Sequence, residues 1–287
     1  MLSNIWKCVL SSLMGSCLGL GLLKAAPAQA IDIAVSPYLF QLDLDESNLS
    51  ESMRVFNMGS DPVTLQVSVH SWILDENNEV ALIPPAEQSL DQWIVLNPSR
   101  FSIAPGEAQT IRFAIRPRSQ PETGEHRAII YLTEVPTETE QTSLQTIGRL
   151  GVAVYGYAGE VSREGVLHSI QVTSAQESAM AVFDIASQGS AHVRLTGQYA
   201  VWQADTYPGA EVTTTLNNLD TIDLDSTPEL PTGIVKAGLL PSSPVLPDTR
   251  RQIPFVVNQL PPGQYILDLN GELEGVAIDQ GIPFTVR

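Results

Sequence analysis

Apolar and polar residues alternate along most of the chain after residue 50. Met53-Arg-Val-Phe-Asn57 alternates and then meets a turn at Met58-Gly-Ser-Asp-Pro62. Val63, Leu65, Val67, Val69 and Ser71 recur with period two, which turns one face of a strand toward a core. Trp72 ends that strand, and Asp75-Glu-Asn-Asn78 reads as a hairpin turn. Strand-like runs follow over 93–96 and 100–103, flanking Asn97-Pro98. Pro105-Gly106 turns the chain into 108–115, where Ile111, Phe113 and Ile115 share a face. A turn over 121–124 leads to 128–132, and 150–157 is another strand. The pattern then restarts with 166–172, 181–185, 192–202, 253–257, 265–269 and 282–286, and Asn270-Gly271 reads as a hairpin turn. Residues 205–248 are polar and rich in proline, and read as a long loop with one short strand near 211–216. No segment has the period of a sustained amphipathic helix; 84–90 holds one helical turn at most. Short strands between closely spaced turns are the pattern of an all-β sandwich. The restart near 158–164 divides the chain into two such domains, 31–160 and 161–287.

The first 30 residues differ from the rest. Lys7 precedes an apolar run from Val9 to Leu23, and Ala28-Gln-Ala30 follows as an A-x-A cleavage signal. This reads as a secretory signal peptide cleaved after Ala30. The run is short for a membrane span, which needs about 20 residues. An anchor retained with Lys24 at its end and a lipidated Cys17 are the other readings of this segment. The chain has 287 residues and a formal charge of −17. Removing residues 1–30 takes away Lys7 and Lys24 and no acidic residue, leaving 13 basic against 32 acidic residues over 257, a net −19. Such a balance does not suit a nucleic-acid surface. Both cysteines, Cys8 and Cys17, lie in the leader. The exported chain then has no disulfide, thiolate nucleophile or cysteine metal site, and rests on its hydrophobic cores.

Candidate chemistry is sparse. His70, His126, His168 and His192 are scattered without metal-ligand spacing. No nucleophile elbow is present, so catalysis is not expected, and neither a cofactor nor a nucleotide is called for. The acidic runs Asp43-Leu-Asp45-Glu46, Asp220-Thr-Ile-Asp223-Leu-Asp225 and Asp268-Leu-Asn-Gly-Glu272 do not fit a calcium loop and read as solvated turns. Asn48-Leu-Ser50 has the form of a glycosylation sequon. Trp72 and Trp93 read as core residues. Arg112 and Arg127 read as partners for acidic neighbours such as Glu125 or Glu134.

One stretch carries a recognisable order. Asn57 and Trp72 are followed by Leu96-Asn-Pro98-Ser-Arg-Phe-Ser-Ile-Ala-Pro105-Gly106, Thr110-Ile-Arg112-Phe, Pro121-Glu-Thr-Gly-Glu-His-Arg127-Ala and Tyr131-Leu-Thr-Glu-Val-Pro136. This resembles the N-terminal immunoglobulin-like domain of PapD-type periplasmic pilus chaperones. The second half resembles their C-terminal domain through 183–189, His192-Val-Arg-Leu, Leu246-Pro-Asp-Thr-Arg250 and Leu260-Pro-Pro-Gly-Gln-Tyr265.

The resemblance implies two immunoglobulin-like sandwiches set as a boomerang around a groove. It implies a periplasmic chaperone, or chaperone-like assembly factor, that lends a β-strand to a pilin-like subunit. The donor strand and cleft would be Leu144, Ile147, Arg149, Leu150 and Val152, with Arg149 capturing a subunit's terminal carboxylate. A solvated edge arginine that discourages aggregation is the plainer reading of Arg149. Members of the family also place a basic residue on the first strand, where this chain has Tyr38-Leu-Phe-Gln41. The alternative function is a structural immunoglobulin-like component of the cell envelope or a surface appendage.

Overall fold

The computed structural model describes residues 32–47, 49–136, 147–217, 219 and 230–287. The leader, its cysteines, Asn48, Leu144 and the acidic run over 220–225 lie outside the described residues. No helix among the described residues is long and apolar enough to cross a membrane.

The first half is a sandwich of two sheets. One sheet orders β1 (Ile33–Ser36), β3 (Ser50–Asn57), β8 (Ala108–Ile115) and β6 (Ile94–Asn97) as β1-β3-β8-β6. The other orders β2 (Leu39–Asp43), β10 (Arg149–Ala158), β9 (Gly124–Glu134), β4 (Val63–Leu74) and β5 (Val80–Ile83) as β2-β10-β9-β4-β5, with β7 (Arg100–Ile103) also on β4. The alternation dictates this assembly. Met53 and Val55, Leu65 and Val67, Ile111, Phe113 and Ile115, Ile130 and Leu132, and Val152 and Val154 all point inward and are buried with Trp93. A single 3-10 turn, Leu90–Gln92, follows the proline pair and seats buried Leu90 in the core.

The second half is a second sandwich. Its three-stranded sheet is β11 (Gly165–Ala175), β12 (Ser178–Ser187) and β16 (Arg250–Asn258). Its larger sheet orders β14 (Ile234–Leu239), β13 (Val193–Gln203), β17 (Gly263–Leu273) and β18 (Val276–Val286) as β14-β13-β17-β18, with β15 (Pro244–Val245) on β13. Phe183, Ile185, Leu195, Val201, Ile253, Leu267 and Leu269 fill the space between the sheets.

Two sequence expectations are corrected here. No strand forms over 211–216; β14 forms at Ile234–Leu239 instead, inside the stretch taken for loop. The reason lies in side chains. Gln198 accepts from the Leu216 amide at 2.7 Å and donates to its carbonyl at 2.9 Å, and Thr213 donates to the buried Asp268 carboxylate at 3.2 Å. The loop is pinned onto the sheet by these bonds rather than by a ladder. Asn270-Gly271 is likewise not a turn. Both residues sit inside β17, and the hairpin turns at Glu274-Gly275, with φ of 47° and 82°. Gly271 stands opposite Gly197 on β13, and a Cβ there would lie 2.6 Å from the Thr196 carbonyl oxygen. The glycine serves a close strand approach rather than a reversal.

Candidate functional site

The site begins with an edge. β10 pairs antiparallel with β9 along its whole length, from Arg149 opposite Thr133 to Ala158 opposite Gly124. On its other side β2 pairs in parallel, but only from Ala153 to Tyr157. Over Arg149–Val152 that second edge carries no strand among the described residues. Four residues of strand span about 13 Å, and their outward main-chain groups suit an added extended segment.

The side chains along this edge divide by parity. Val152 is fully buried in the first core and Leu150 packs against the same cluster. Arg149 and Gly151 take the opposite face. A Cβ on Gly151 would lie 2.8 Å from Ile129 Cδ1 and 3.1 Å from a Tyr131 ring carbon, so the glycine admits Ile129 and Tyr131 over the strand. Arg149 is exposed, with its guanidinium carbon 4.9 Å from the centre of the Tyr131 ring. That cation–π contact orients the side chain, and no carboxylate among the described residues is paired with it. Ile147, just before the strand, is 54% exposed. Of the five residues expected in the donor strand, Ile147 and Arg149 thus face outward. Leu150 and Val152 serve the inner core and offer their backbone, and Leu144 lies outside the described residues.

The same sheet face carries the junction with the second domain. Trp72, Leu74, Ile129 and Tyr155 form a buried apolar cluster with Leu246 of the second domain. Around it lies a polar network. Glu125 on β9 has a fully buried side chain. It accepts from the His192 backbone N–H at 2.8 Å, from His192 Nδ1 at 2.6 Å and from Arg127 Nη1 at 2.9 Å. Arg194 Nε donates to His192 Nε2 at 3.2 Å, and Arg194 Nη2 donates to the Tyr155 hydroxyl at 3.1 Å. Burial alone raises the Glu125 pKa, but the hydrogen bonds and charge of His192, then the Arg127 bond, outweigh it and hold the carboxyl below its ordinary value. Burial pushes the Tyr155 phenol up to about 12 against the opposing charge of Arg194. A second strap lies nearby. Arg251 on β16 donates to the carbonyl of Leu74 at 2.6 Å and to that of Asp75, while Asn78 Nδ2 donates to the Gln252 carbonyl at 2.8 Å.

The sequence profile described as "Pili and flagellar-assembly chaperone, PapD N-terminal domain" matches residues 33–154. Over that stretch the chain is similar to the PapD N-terminal domain. Among solved structures, it is similar to one of a chaperone–tip adhesion subunit pre-assembly complex from the archaic Csu pili of Acinetobacter baumannii. That match has 12% identity, covers 88% of this chain and 97% of the other, and has a TM-score of 0.43. It is also similar to the E. coli chaperone DraB at 13% identity, covering 90% and 100% of the two chains, with a TM-score of 0.40. A PapD-like domain of human CEP192 matches at 11% identity over 54% of this chain and 98% of that one, with a TM-score of 0.33. No curated protein sequence is recognisably similar.

The motif residues of the PapD-like domain hold its turns. Asn57 is buried and bonds outward in several directions. Its Nδ2 donates to the carbonyls of Asp61 and Ile103, its Oδ1 accepts from the Gly59 amide, and its main chain pairs with Gly106 and Glu107. It therefore clasps the 58–62 turn to the Pro105-Gly106 turn, where Gly106 has a φ of 72°. Pro98 follows a cis bond between β6 and β7, and Pro136 closes β9. Arg127 pairs with Glu125 two residues earlier on the same strand, whereas Arg112 is exposed opposite Ser52 and Asn97 and joins no ion pair among the described residues. Trp93 is core, but Trp72 lies at the domain junction against Tyr155, with ring centroids 6.0 Å apart. No group of three or more His, Cys, Asp or Glu side chains among the described residues is placed to hold a metal.

The sequence reading missed Glu125, His192 and Arg194 as a connected set and Arg251 as a separate strap. The available signal was Glu125-x-Arg127 and His192-x-Arg194, two charged pairs at strand period, each flanking the inferred boundary. Arg251→Ala tests the second strap. It leaves two carbonyls without their charged donors and is expected to cost about 2 kcal/mol in urea unfolding, with Arg251→Lys recovering part of the loss.

Proposed function

We propose that the chain is an exported, periplasmic assembly chaperone for pilus or fimbrial subunits. It holds an extended segment of the subunit along the free edge of β10. The observation that carries this reading is the bare edge at Arg149–Val152, placed in a domain whose family is that of pilus and flagellar-assembly chaperones. Main-chain hydrogen bonds along that edge supply affinity, and Ile147 and Arg149 supply recognition of the segment and of a terminal carboxylate. The reading needs no cofactor, nucleotide or covalent chemistry, and the leader read from the sequence supports export.

The test uses the chain from residue 31 onward with a purified pilin-like subunit lacking its last strand. A one-to-one complex is expected on size exclusion. Amide exchange over 147–152 is expected to slow at least about tenfold in the complex, since hydrogen-bonded edges exchange only by local opening. Exchange over Ser50–Asn57, in the opposite sheet, should stay as in the free protein. A complex that leaves 147–152 unprotected, or no complex at all, overturns the reading. Arg149→Glu is expected to weaken binding about tenfold or more, the loss of one charge-assisted hydrogen bond. Unchanged affinity would remove the carboxylate role from Arg149 while leaving the edge reading intact.

A further inference from the structure

Gly151 lies inside β10, within the open edge, and no turn or positive φ calls for a glycine there. Its space is used instead by side chains of β9. Tyr131 stands opposite Gly151, and Ile129 stands opposite Ala153, the next residue on the same face. The Cβ that Gly151 lacks would lie 2.8 Å from Ile129 Cδ1 and 3.1 Å from Tyr131 Cε1, so both side chains lean out over β10. They are held from behind. Ile129 is buried in the cluster with Trp72, Leu74, Tyr155 and Leu246. The Tyr131 ring touches the Arg149 guanidinium, whose carbon is 4.9 Å from the ring centre, and the His70 ring, with centroids 6.0 Å apart. Ala153 and Leu39, which face each other across β10 and β2, pack against the same cluster. Leu39 opens β2 and so stands where the free edge ends.

We infer that Gly151 is a gap in β10 through which Ile129 and Tyr131 select the client: the segment residue that docks against Gly151 must carry a large apolar side chain.

This selection presupposes that a segment docks on the open edge, as proposed above. A strand added to β10 lies about 4.8 Å from it, and residues that face each other across a ladder put their side chains on one face. The Cβ of the residue facing Gly151 is therefore about 5 Å from the place of the missing Cβ, and the Ile129 and Tyr131 atoms lie beyond that place. An alanine in the segment stops short of the ~4.5 Å at which apolar groups touch, whereas Leu, Met or Phe closes the gap. A side chain on residue 151 would fill the gap from within and push the two β9 side chains back. Leu150 and Val152 offer no such reading, because their side chains serve the first core. The open edge thus presents one apolar contact to the segment, between the cation of Arg149 and the closed end at Leu39.

The test uses the chain from residue 31 onward and the pilin-like subunit lacking its last strand. Subunit residues whose amides are protected in the complex are changed to alanine one at a time. Each is titrated against the parent chain, Gly151→Ala and Tyr131→Ala. Alanine at 151 meets only side-chain atoms, and Tyr131 is half-buried at the surface, so the second variant keeps the test open should the first not fold. One large apolar subunit residue is expected to stand out, its alanine variant binding the parent about tenfold more weakly, the worth of one buried apolar side chain. Gly151→Ala and Tyr131→Ala should each weaken the unmodified subunit about fivefold, and add less than about twofold once that residue is already alanine. Subunit residues two places to either side should show no such coupling. Coupling at no position or at a polar one, or the same loss for every subunit variant, overturns the selection. The edge reading then still stands, because the complex forms and 147–152 is protected. No complex, or a complex without that protection, overturns both.

Discussion

Glu125→Gln is expected to lower the unfolding free energy by about 3 kcal/mol, the cost of removing one partner from a buried charge pair. The carboxylate is fully buried and accepts three hydrogen bonds, two of them from the other domain. An amide oxygen in the Oε2 place can still take the two bonds from His192, but the N–H2 then faces the Arg127 donor. The loss should appear in urea unfolding followed by tryptophan fluorescence, because Trp72 sits in the same junction. The pH dependence has a defined sign. The folded carboxyl is held below its ordinary value of 4.5, so the unfolded chain takes up the proton first. Its contribution is complete above that ordinary value and fades as the pH falls through the lowered folded value. In Glu125→Gln this part of the acid slope should be gone. A variant as stable as the parent at neutral pH would show that the junction does not depend on this carboxylate.

Gly197→Ala is expected to destabilise the second domain by about 3 kcal/mol, combining strain at positive φ with a clash against backbone. Gly197 has a φ of 123°, and a Cβ there would lie 2.4 Å from both the Asn270 carbonyl oxygen and Gly271 Cα. Neither atom can move without parting β13 from β17. Gly209→Ala is the matched control. Its φ is 103° and nothing lies within 4 Å of the added carbon. That variant should lose only the strain, about 1 kcal/mol. Thermal unfolding of the two side by side separates backbone conformation from close approach. Equal losses would show that the contact at Gly197 is absorbed by a shift of the strands.

Much of the framework was legible because alternation is a direct record of which side of a sheet meets the core. Leu65, Val67, Ile111 and Phe113 point inward as their spacing required. The turn chemistry at Asp75 was equally plain, since its carboxylate accepts the amides of Asn77 and Glu79. What failed did so for local physical reasons. Gly238 and Lys236 interrupt β14, so a strand inside a proline-rich stretch carried no run of apolar residues. Asn270-Gly271 has the composition of a turn, yet the opposing Gly197 made it a point of contact. Glu125 reads from the sequence only as a partner for Arg112 or Arg127, and His192 only as one of four scattered histidines. Their burial depends on a second domain, which period-two patterning within one strand does not encode. The open stretch of β10 was hidden for a related reason, because it is set by where the parallel partner β2 stops.

That parallel partner has a consequence for the order of assembly. β2 begins at Leu39, and the strand that closes on it ends at Ala158. The bond from the Gly159 amide to the Asp45 carboxylate, just beyond this pair, joins residues 114 apart. Every other strand of the first domain except β1 lies between them in the chain. As the chain emerges from its N-terminus, β2 is among the first segments out and the last to find its place. Loop closure over that span makes the step slow compared with local hairpins such as β4 with β5. Until it happens, β10 is bare along the whole of its outer edge, and the nascent domain is itself a sheet short of one strand.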